Sequence, residues 1–381
     1  MSETISSTAA LVSPRSARGS DYLATLDGWR AIAILAVIFS HANLLSIGFL
    51  NDRWLYAYGH FGVDVFFSIS GLLICWRLMQ EEVQQERISL RSFYIRRAFR
   101  ILPAAFAFLL VLGILGAVHL LHLDFMELVS AAFFFRNYTS LLGHLTGYPY
   151  FTSHFWSLSV EEHFYFLLPA LLVFTQKKLR VPLLLLLTLT IVGHRYLALR
   201  HRPFDLIGHH TDIRLDSLLF PAMLAILVQP LRNRERFRRA LELWPLLAAL
   251  ALLIVPVQDG ASWKSSAIVV LFSLTVLGSV LNPHGPLGKL LESAPFRFVG
   301  KISYSLYLWQ QLFFTGHFFG QYPLGLLNHF PLQLAATFLC AWASYHWLEK
   351  PLIRLGHRFA PSPIRRTTSP AGRSTQAAVT S

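Results

Sequence analysis

The 381-residue chain is hydrophobic at 54% of its positions and charged at only 14%. A soluble protein of this length could hardly stay in solution with that balance, so the composition indicates a polytopic membrane protein. The 33 Lys and Arg residues outnumber the 20 Asp and Glu residues. They are concentrated in breaks between apolar stretches, where retention of basic loops in the cytosol accounts for them. We therefore expect no nucleic-acid partner.

Ten apolar stretches are long enough to cross a membrane, which takes roughly 17–25 mostly apolar residues. They lie near residues 26–46, 61–79, 101–121, 158–175, 181–198, 213–229, 242–257, 265–281, 302–320 and 331–352. This pattern predicts an all-α bundle of about ten transmembrane helices. A further segment, 125–136, is short and rich in Phe, and is expected to lie in the interface or to dip into the bundle.

The distribution of Lys and Arg predicts the orientation of the bundle. Alternate loops hold sixteen basic residues in one set and five in the other, and the basic set belongs in the cytosol. Both termini are then cytosolic, in a multi-pass protein of the cytoplasmic (inner) membrane. We expect a membrane domain over 22–357 between disordered tails at 1–21, which lacks the apolar core of a signal peptide, and 358–381, which is rich in Pro, Ser and Thr.

The first span carries two ionisable residues, Arg30 and His41. They are eleven positions apart, close to three helical turns, so they share one face at a separation of about 16 Å along the axis. Charged residues within spans usually face the protein interior or a wet cavity, which predicts a polar stripe across the bilayer. Two alternatives remain open: Arg30 extends to the lipid headgroups or pairs with Asp27, and His41 bonds a neighbouring carbonyl.

Other predicted spans bring acidic residues toward the depth of His41. These residues, with one arginine, are Asp64, Glu161, Glu162, Arg214 and Asp216. An imidazole with a carboxylate partner can act as a general base near neutral pH. Glu162 has a second interpretation, because Ser159 and Glu162 also fit a capping box at a helix start.

At the predicted cytosolic side, Arg97 and Arg100 lie three positions apart and share a helical face. Guanidinium groups match phosphate geometry, which indicates a phosphate-bearing cytosolic ligand. Retention of basic residues in the cytosol is the alternative explanation of these arginines. His209, His210 and Asp212 are competent metal ligands. Consecutive histidines point in different directions, however, so we expect no metal site there.

Seven segments together resemble the acyltransferase 3 family of integral membrane acyltransferases over roughly residues 22–357. In chain order they are "LDGWRAIAILAVIFSHA", "GHFGVDVFFSISGLLI", "RRAFRILPA", "FWSLSVEEHFYFLLPALL", "RLDSLLFPAML", "ISYSLYLWQQLF" and "SYHWLEKPLIRLG". The resemblance implies about ten transmembrane helices and transfer of an acyl group, usually from cytosolic acyl-CoA, to a hydroxyl of a carbohydrate or other acceptor. The family's essential histidine and arginine match His41 and Arg30. Its R-x-x-R pair, linked to the acyl donor, matches Arg97 and Arg100.

Two positions depart from the family pattern. Ala31 stands where the first signature usually has Gly, a small replacement that should be tolerated. Gln310 follows "YLW" where the family commonly has His. A proton-transfer role at that position is therefore doubtful, although hydrogen bonding could survive.

The residues and the resemblance together predict a membrane O-acyltransferase with acyl-CoA as co-substrate, no resident cofactor and no metal. Its acceptor would be a polysaccharide, glycolipid or glycoside. Catalysis is assigned to His41, Arg30, Glu161 and Asp64. Substrate binding is assigned to Arg97, Arg100, Asp27, Glu162, Arg214, Asp216 and Trp156. The alternative is a transporter of a small solute or lipid, because transport also needs a polar column through a bundle.

Overall fold

The computed structural model describes residues 23–41, 52–141, 150–202, 207–229, 231, 234–241, 244–254, 262–315 and 323–361. Within these ranges the chain is helical and contains no β-strand, which confirms the all-α prediction. The helices of the first half are α1 (Ala24–His41), α2 (Asp52–Gln85), α3 (Leu90–Ala117), α4 (Phe125–Ala132), α5 (Phe155–Phe174) and α6 (Lys177–Ala198).

The second half of the chain is built from shorter helices. They are α7 (Thr211–Arg214), α8 (Asp216–Val228), α9 (Glu235–Ala240), α10 (Trp244–Ile254), α11 (Ser262–Leu281), α12 (Pro286–Leu291), α13 (Ala294–Lys301), α14 (Ser303–Phe313), α15 (Leu332–Ala343) and α16 (Lys350–Phe359). A π-helical segment, Ser344–Glu349, joins the last two helices.

Four helices are long and apolar enough to cross a membrane: residues 61–85 of α2, and α3, α5 and α6. They coincide with four of the predicted spans. On α3 the side chains of Phe106, Leu110 and Ile114 are exposed. A row of large exposed apolar side chains suits contact with lipid and not with water. The protein is therefore a membrane protein with transmembrane helices.

The remaining predicted spans fall on helices that, over the described residues, are too short or not apolar enough to join these four. The span predicted at 302–320 corresponds to α14, which ends at Phe313, and residues 316–320 lie outside the described part. Residues 42–46 of the first predicted span and 255–257 of the seventh also lie outside it. The segment predicted to dip or lie flat contains the eight-residue α4. The count of ten spans and the cytosolic termini stay predictions.

Helix α1 packs closely against its neighbours through glycines. A Cβ atom at Gly62 of α2 would lie 2.5 Å from the carbonyl oxygen of Ala33, and one at Gly300 of α13 would overlap the backbone of Asp27. Only glycine lets two helix backbones approach so closely. This packing holds α1, with Arg30 and His41, inside the bundle.

The helix starts decide one question left open by the sequence. Ser89 is the N-cap of helix α3, and its Oγ accepts a hydrogen bond from the Ser92 amide at 3.3 Å. Helix α5 begins after His154, so Ser159 lies inside the helix and donates to the Phe155 carbonyl at 2.8 Å. The capping-box interpretation of Ser159 and Glu162 is therefore wrong, and Glu162 is a residue of the helix body.

Candidate functional site

A central cavity lies between α1, α2, α3, α5 and α14. Its polar lining residues are Arg30, Ser70, Arg97, Arg100, Ser157, Glu161, Glu162, Tyr165, Ser303, Tyr304 and Tyr307. Helical spacing explains the contribution of α3, because Arg97 and Arg100 are one turn apart and project together. Besides Arg30, four other ionisable residues singled out from the sequence line this cavity: Arg97, Arg100, Glu161 and Glu162.

Two flanking cavities open beside it at the end of the bundle that carries Gln85 and Leu90, the end predicted to face the cytosol. The first has a volume of about 250 Å³. Its polar and charged lining consists of Asp27, Arg30, Arg77, Arg100, Lys301, Ser303, Tyr304, Tyr345 and Glu349. The second is lined by Arg77, Glu81, Arg96, Arg97, Arg100 and His357 among others. Arg100 and Leu73 line all three cavities, so the cavities adjoin one another around these residues.

Four guanidinium groups gather around this meeting point, and we call Arg30, Arg77, Arg97 and Arg100 the arginine cluster. The charges of the other three all act on Arg100. Arg100 makes no hydrogen bond or ion pair with any residue that the structure describes. Like charges this close repel one another, so the cluster favours an anionic ligand with several charges.

The imidazole of His357 on α16 lies in the positive electrostatic potential of nearby arginines. Burial, and then the charges of Arg96, Arg77 and Arg100, hold the pKa of this imidazole below its usual value. A neighbouring cation disfavours protonation because it adds a second positive charge nearby. The positive field therefore extends from the arginine cluster into the second flanking cavity.

Glu161 is held in a network on the wall of the central cavity. Its carboxylate accepts hydrogen bonds from the Tyr165 hydroxyl at 2.8 Å and from Ser70 Oγ at 3.1 Å. The guanidinium of Arg97 lies over the Tyr165 ring, 4.0 Å from its centre, in cation–π geometry. The charge of Arg97 also acts on Glu162. Arg97 and the two glutamates are thus brought together as one unit.

Arg30 forms an ion pair with Asp27 one turn earlier, with 3.0 Å between Nη1 and Oδ1. This confirms the pairing that the sequence left open. The pair also lines the first flanking cavity, and Arg30 reaches the central cavity as well. Arg30 therefore belongs to the same site as Arg97 and Arg100.

His41 lies at the other end of α1, where its ring is half-buried. Its Nδ1 atom is 2.8 Å from the Val37 carbonyl oxygen. A carbonyl can only accept, so Nδ1 carries the proton and Nε2 carries the lone pair. This is the tautomer that a general base needs. His41 does not line the central cavity, on whose wall Ser157 and Tyr307 share a hydrogen bond of 2.6 Å.

The other predicted site residues lie in buried ion pairs away from the cavities. Arg214 donates to Asp64, and Arg195 pairs with Asp216 at 3.0 Å. The guanidinium of Arg214 is also 5.8 Å from the ring centre of Trp156. Of the four catalytic candidates, Arg30 and Glu161 line the central cavity, whereas His41 and Asp64 do not.

Several cavity residues were missed in the sequence. Arg77 lies inside the predicted span 61–79, so the signal that singled out Arg30, a charge within an apolar stretch, was present there too. Lys301, Tyr165 and Tyr304 carried no such signal, because a lysine in a loop and tyrosines in a span are ordinary features. Gln310 is buried, and its amide has no hydrogen-bond partner among the described residues.

The candidate metal ligands have other partners. Asp212 accepts hydrogen bonds from Tyr138 at 2.9 Å and from His194 at 2.8 Å. Among the residues that the structure describes, no group of three His, Cys, Asp or Glu side chains is placed to hold a metal ion.

The structure is that of a helical integral membrane protein with arginine-rich cavities, a lining that suits an anionic ligand. Comparison of the sequence makes this specific: the chain belongs to the acyltransferase 3 family, whose sequence model, described as an acyltransferase domain, matches residues 23–346. The family predicted from the sequence motifs is thereby confirmed. No solved structure matches the chain.

Similar proteins occur in Staphylococcus aureus. A protein of strain COL, named as a candidate O-acetyltransferase, is 30% identical over 366 residues, covering 88% of this chain and 58% of that protein. The O-acetyltransferase OatA of strain MRSA252 is 28% identical over 373 residues, covering 91% of this chain and 60% of that protein. The chain therefore spans less than two thirds of the length of these relatives.

Proposed function

We propose that the protein is an O-acyltransferase of the cytoplasmic membrane. It moves an acyl group from cytosolic acyl-CoA to a hydroxyl of a carbohydrate-type acceptor, with His41 as the general base. One observation carries this proposal. Arg100 lines all three cavities, and its guanidinium has no ionic partner in the described part of the chain. The names of the relatives favour acetyl as the group transferred.

The donor site is the arginine cluster with Lys301. Coenzyme A carries a diphosphate and a ribose phosphate, and arginine forks bind such groups with two parallel hydrogen bonds. The first flanking cavity, at about 250 Å³, would take the phosphorylated nucleotide. The pantetheine arm would then extend past Arg100 into the central cavity, beside Arg97 and Glu161.

Transfer takes place at the outer end of the central cavity. His41 Nε2 removes the proton of the acceptor hydroxyl, and the oxygen attacks the thioester carbonyl carbon. A carbon–oxygen bond forms, the carbon–sulfur bond breaks, and the proton passes from His41 to the sulfur of CoA. The hydrogen bond between Ser157 and Tyr307 opens to let the thioester reach His41. An acyl-histidine intermediate is a second route by which the same residues give the same products.

The test uses purified protein, acetyl-CoA and a panel of methyl glycosides, with release of free CoA as the readout. His41→Ala should remove glycoside-dependent release while leaving the melting temperature near that of the wild type. His346→Ala is the matched control, because His346 Nδ1 bonds the Trp342 carbonyl at 2.9 Å with the same four-residue spacing. A folded His41→Ala protein that still transfers acetyl would defeat the assignment of the base.

The same measurement separates the proposed enzyme from a transporter. A transporter moves a solute without breaking a thioester, so it gives no release of CoA that depends on the glycoside. If the wild-type protein releases no CoA with any glycoside but moves a labelled solute into liposomes, transport replaces acyl transfer as the function.

A further inference from the structure

His154, directly before α5, is a buried histidine that the proposed mechanism does not use. It is 4% exposed. Its ring packs against Phe155, Phe108 and Tyr307, with ring centres 5.0, 5.4 and 5.4 Å away. Neither ring nitrogen has a hydrogen-bond partner among the described residues. Burying such nitrogens without partners is unfavourable, and an orphaned pair in a rigid aromatic pocket points to a ligand that supplies the missing bond.

The position of this ring links the central cavity to His41. The Tyr307 hydroxyl, which lines the central cavity and shares a hydrogen bond with Ser157, donates to the His154 carbonyl oxygen at 3.0 Å. His154 is also close enough to His41 for the charge of that imidazole to act on it. His154 therefore contacts a residue of the cavity wall and lies near the proposed base.

We propose that His154 donates a ring N–H to the carbonyl oxygen of the acyl group in the transition state. The inference rests on the proposed function. A neutral imidazole has one N–H donor, and the three aromatic contacts fix the direction in which it points. A donor held in advance at the position where negative charge develops, in surroundings without water, stabilises a transition state strongly.

The electrons and protons balance in this step. As the acceptor oxygen attacks, its proton passes to His41 and the carbonyl π electrons move onto the oxygen, which His154 hydrogen-bonds without giving up its proton. When the carbonyl re-forms, the carbon–sulfur bond breaks and the sulfur takes the proton from His41. His154 ends the cycle unchanged, so its contribution is hydrogen bonding and not proton transfer.

Two substitutions of His154 separate this role from packing. His154→Phe keeps an aromatic ring in the pocket and removes both nitrogens, and His154→Gln supplies an amide N–H. The substrates are acetyl-CoA and the methyl glycoside that the wild-type protein acetylates. His154→Phe should lower kcat roughly 100- to 1,000-fold, the usual effect of losing such a donor, with unchanged affinity for CoA. His154→Gln should recover part of that loss.

Phe108→Leu is the matched control, because it alters the same pocket and keeps the imidazole. If His154→Phe retains kcat within threefold of wild type, or loses no more than Phe108→Leu, the donor assignment is wrong. His154→Phe should also leave the pH dependence of kcat/KM unchanged. If the decline of kcat/KM at low pH disappears in this variant, His154 is the base instead. A wild-type protein inactive toward every glycoside contradicts the proposed function itself, and the assignment of His154 falls with it.

Discussion

Charged side chains are arranged in opposite ways at the two ends of the bundle. Toward the end predicted to face outward, Asp64 and Asp216 each lie in a buried ion pair with an arginine. At the inner end, Arg100 is surrounded by three other arginines and has no ionic partner in the part of the chain that the structure describes. Charges that pair with one another hold helices together, whereas a guanidinium without an ionic partner, such as that of Arg100, suits a negative charge that arrives with a ligand.

The largest effect should come from breaking an outer pair. Asp64→Ala leaves Arg214 buried without its partner, which typically destabilises a protein by about 3–5 kcal/mol. We expect the melting temperature in detergent to fall sharply. An unchanged melting temperature would show that the pair does not support the fold.

A double variant separates stability from chemistry at this site. Replacing both partners, Asp64→Leu with Arg214→Met, removes the unmatched charge and should restore much of the melting temperature. If the double variant folds and transfers acetyl, Asp64 is structural. If it folds but is inactive, Asp64 has the catalytic role that the sequence predicted.

At the inner end, Arg100→Gln should weaken binding without weakening the fold. A hydrogen bond to a charged group contributes about 1.5–3 kcal/mol, so the Kd for CoA should rise roughly 10- to 100-fold by titration calorimetry. The melting temperature should hold or rise, because repulsion from Arg30, Arg77 and Arg97 is relieved. Arg96→Gln is the matched control, since Arg96 already pairs with Glu81 at 3.3 Å. Equal losses of affinity in both variants would contradict a special role for the unpaired guanidinium.

A smaller effect is expected from Tyr165, which supports Arg97. Tyr165→Leu removes the cation–π contact, worth about 0.5–2 kcal/mol, and should raise the KM for acetyl-CoA a few-fold to about 30-fold. Tyr165→Phe keeps the ring and loses only the hydrogen bonds of the hydroxyl to Glu161 and Ser70. If the Leu and Phe variants have the same KM in steady-state kinetics, the ring does not position Arg97.

The smallest effect concerns pH. The pKa of His357 is held below its usual value by burial and by the nearby arginines, so the ring is neutral at pH 7. A bound polyanion offsets those charges and raises this pKa, so binding takes up a proton and strengthens as the pH falls. The wild-type protein should gain a few-fold more affinity for CoA between pH 7 and 5.5 than His357→Gln. Titration of the CoA phosphates affects the affinity of both proteins equally, so only the difference between their pH profiles reports on His357. If the affinities of the two proteins change with pH in parallel, this coupling does not exist.

Local patterns explain why part of this structure could be predicted from the sequence. Hydropathy identified the four long apolar helices, and a three-residue spacing placed Arg97 and Arg100 on one face. The ion pair between Asp64 and Arg214 could not be read in this way, because its partners are 150 positions apart and meet only when α2 packs against the segment before α8. His154 was overlooked for the same reason, since its pocket is formed by α3, α5 and α14 together.

The glycine contacts of α1 have a consequence for what crosses the bundle. Gly62 and Gly300 place neighbouring backbones directly against this helix, and Gly28 places α1 against Leu291. Tilting α1 would open all of these interfaces at once, so the helix acts as a fixed partition. In the proposed reaction an acetyl group passes this partition in one direction and a proton in the other, while the nucleotide and the sugar stay on their own sides. Turnover would then be electrically silent, with a rate indifferent to the membrane potential.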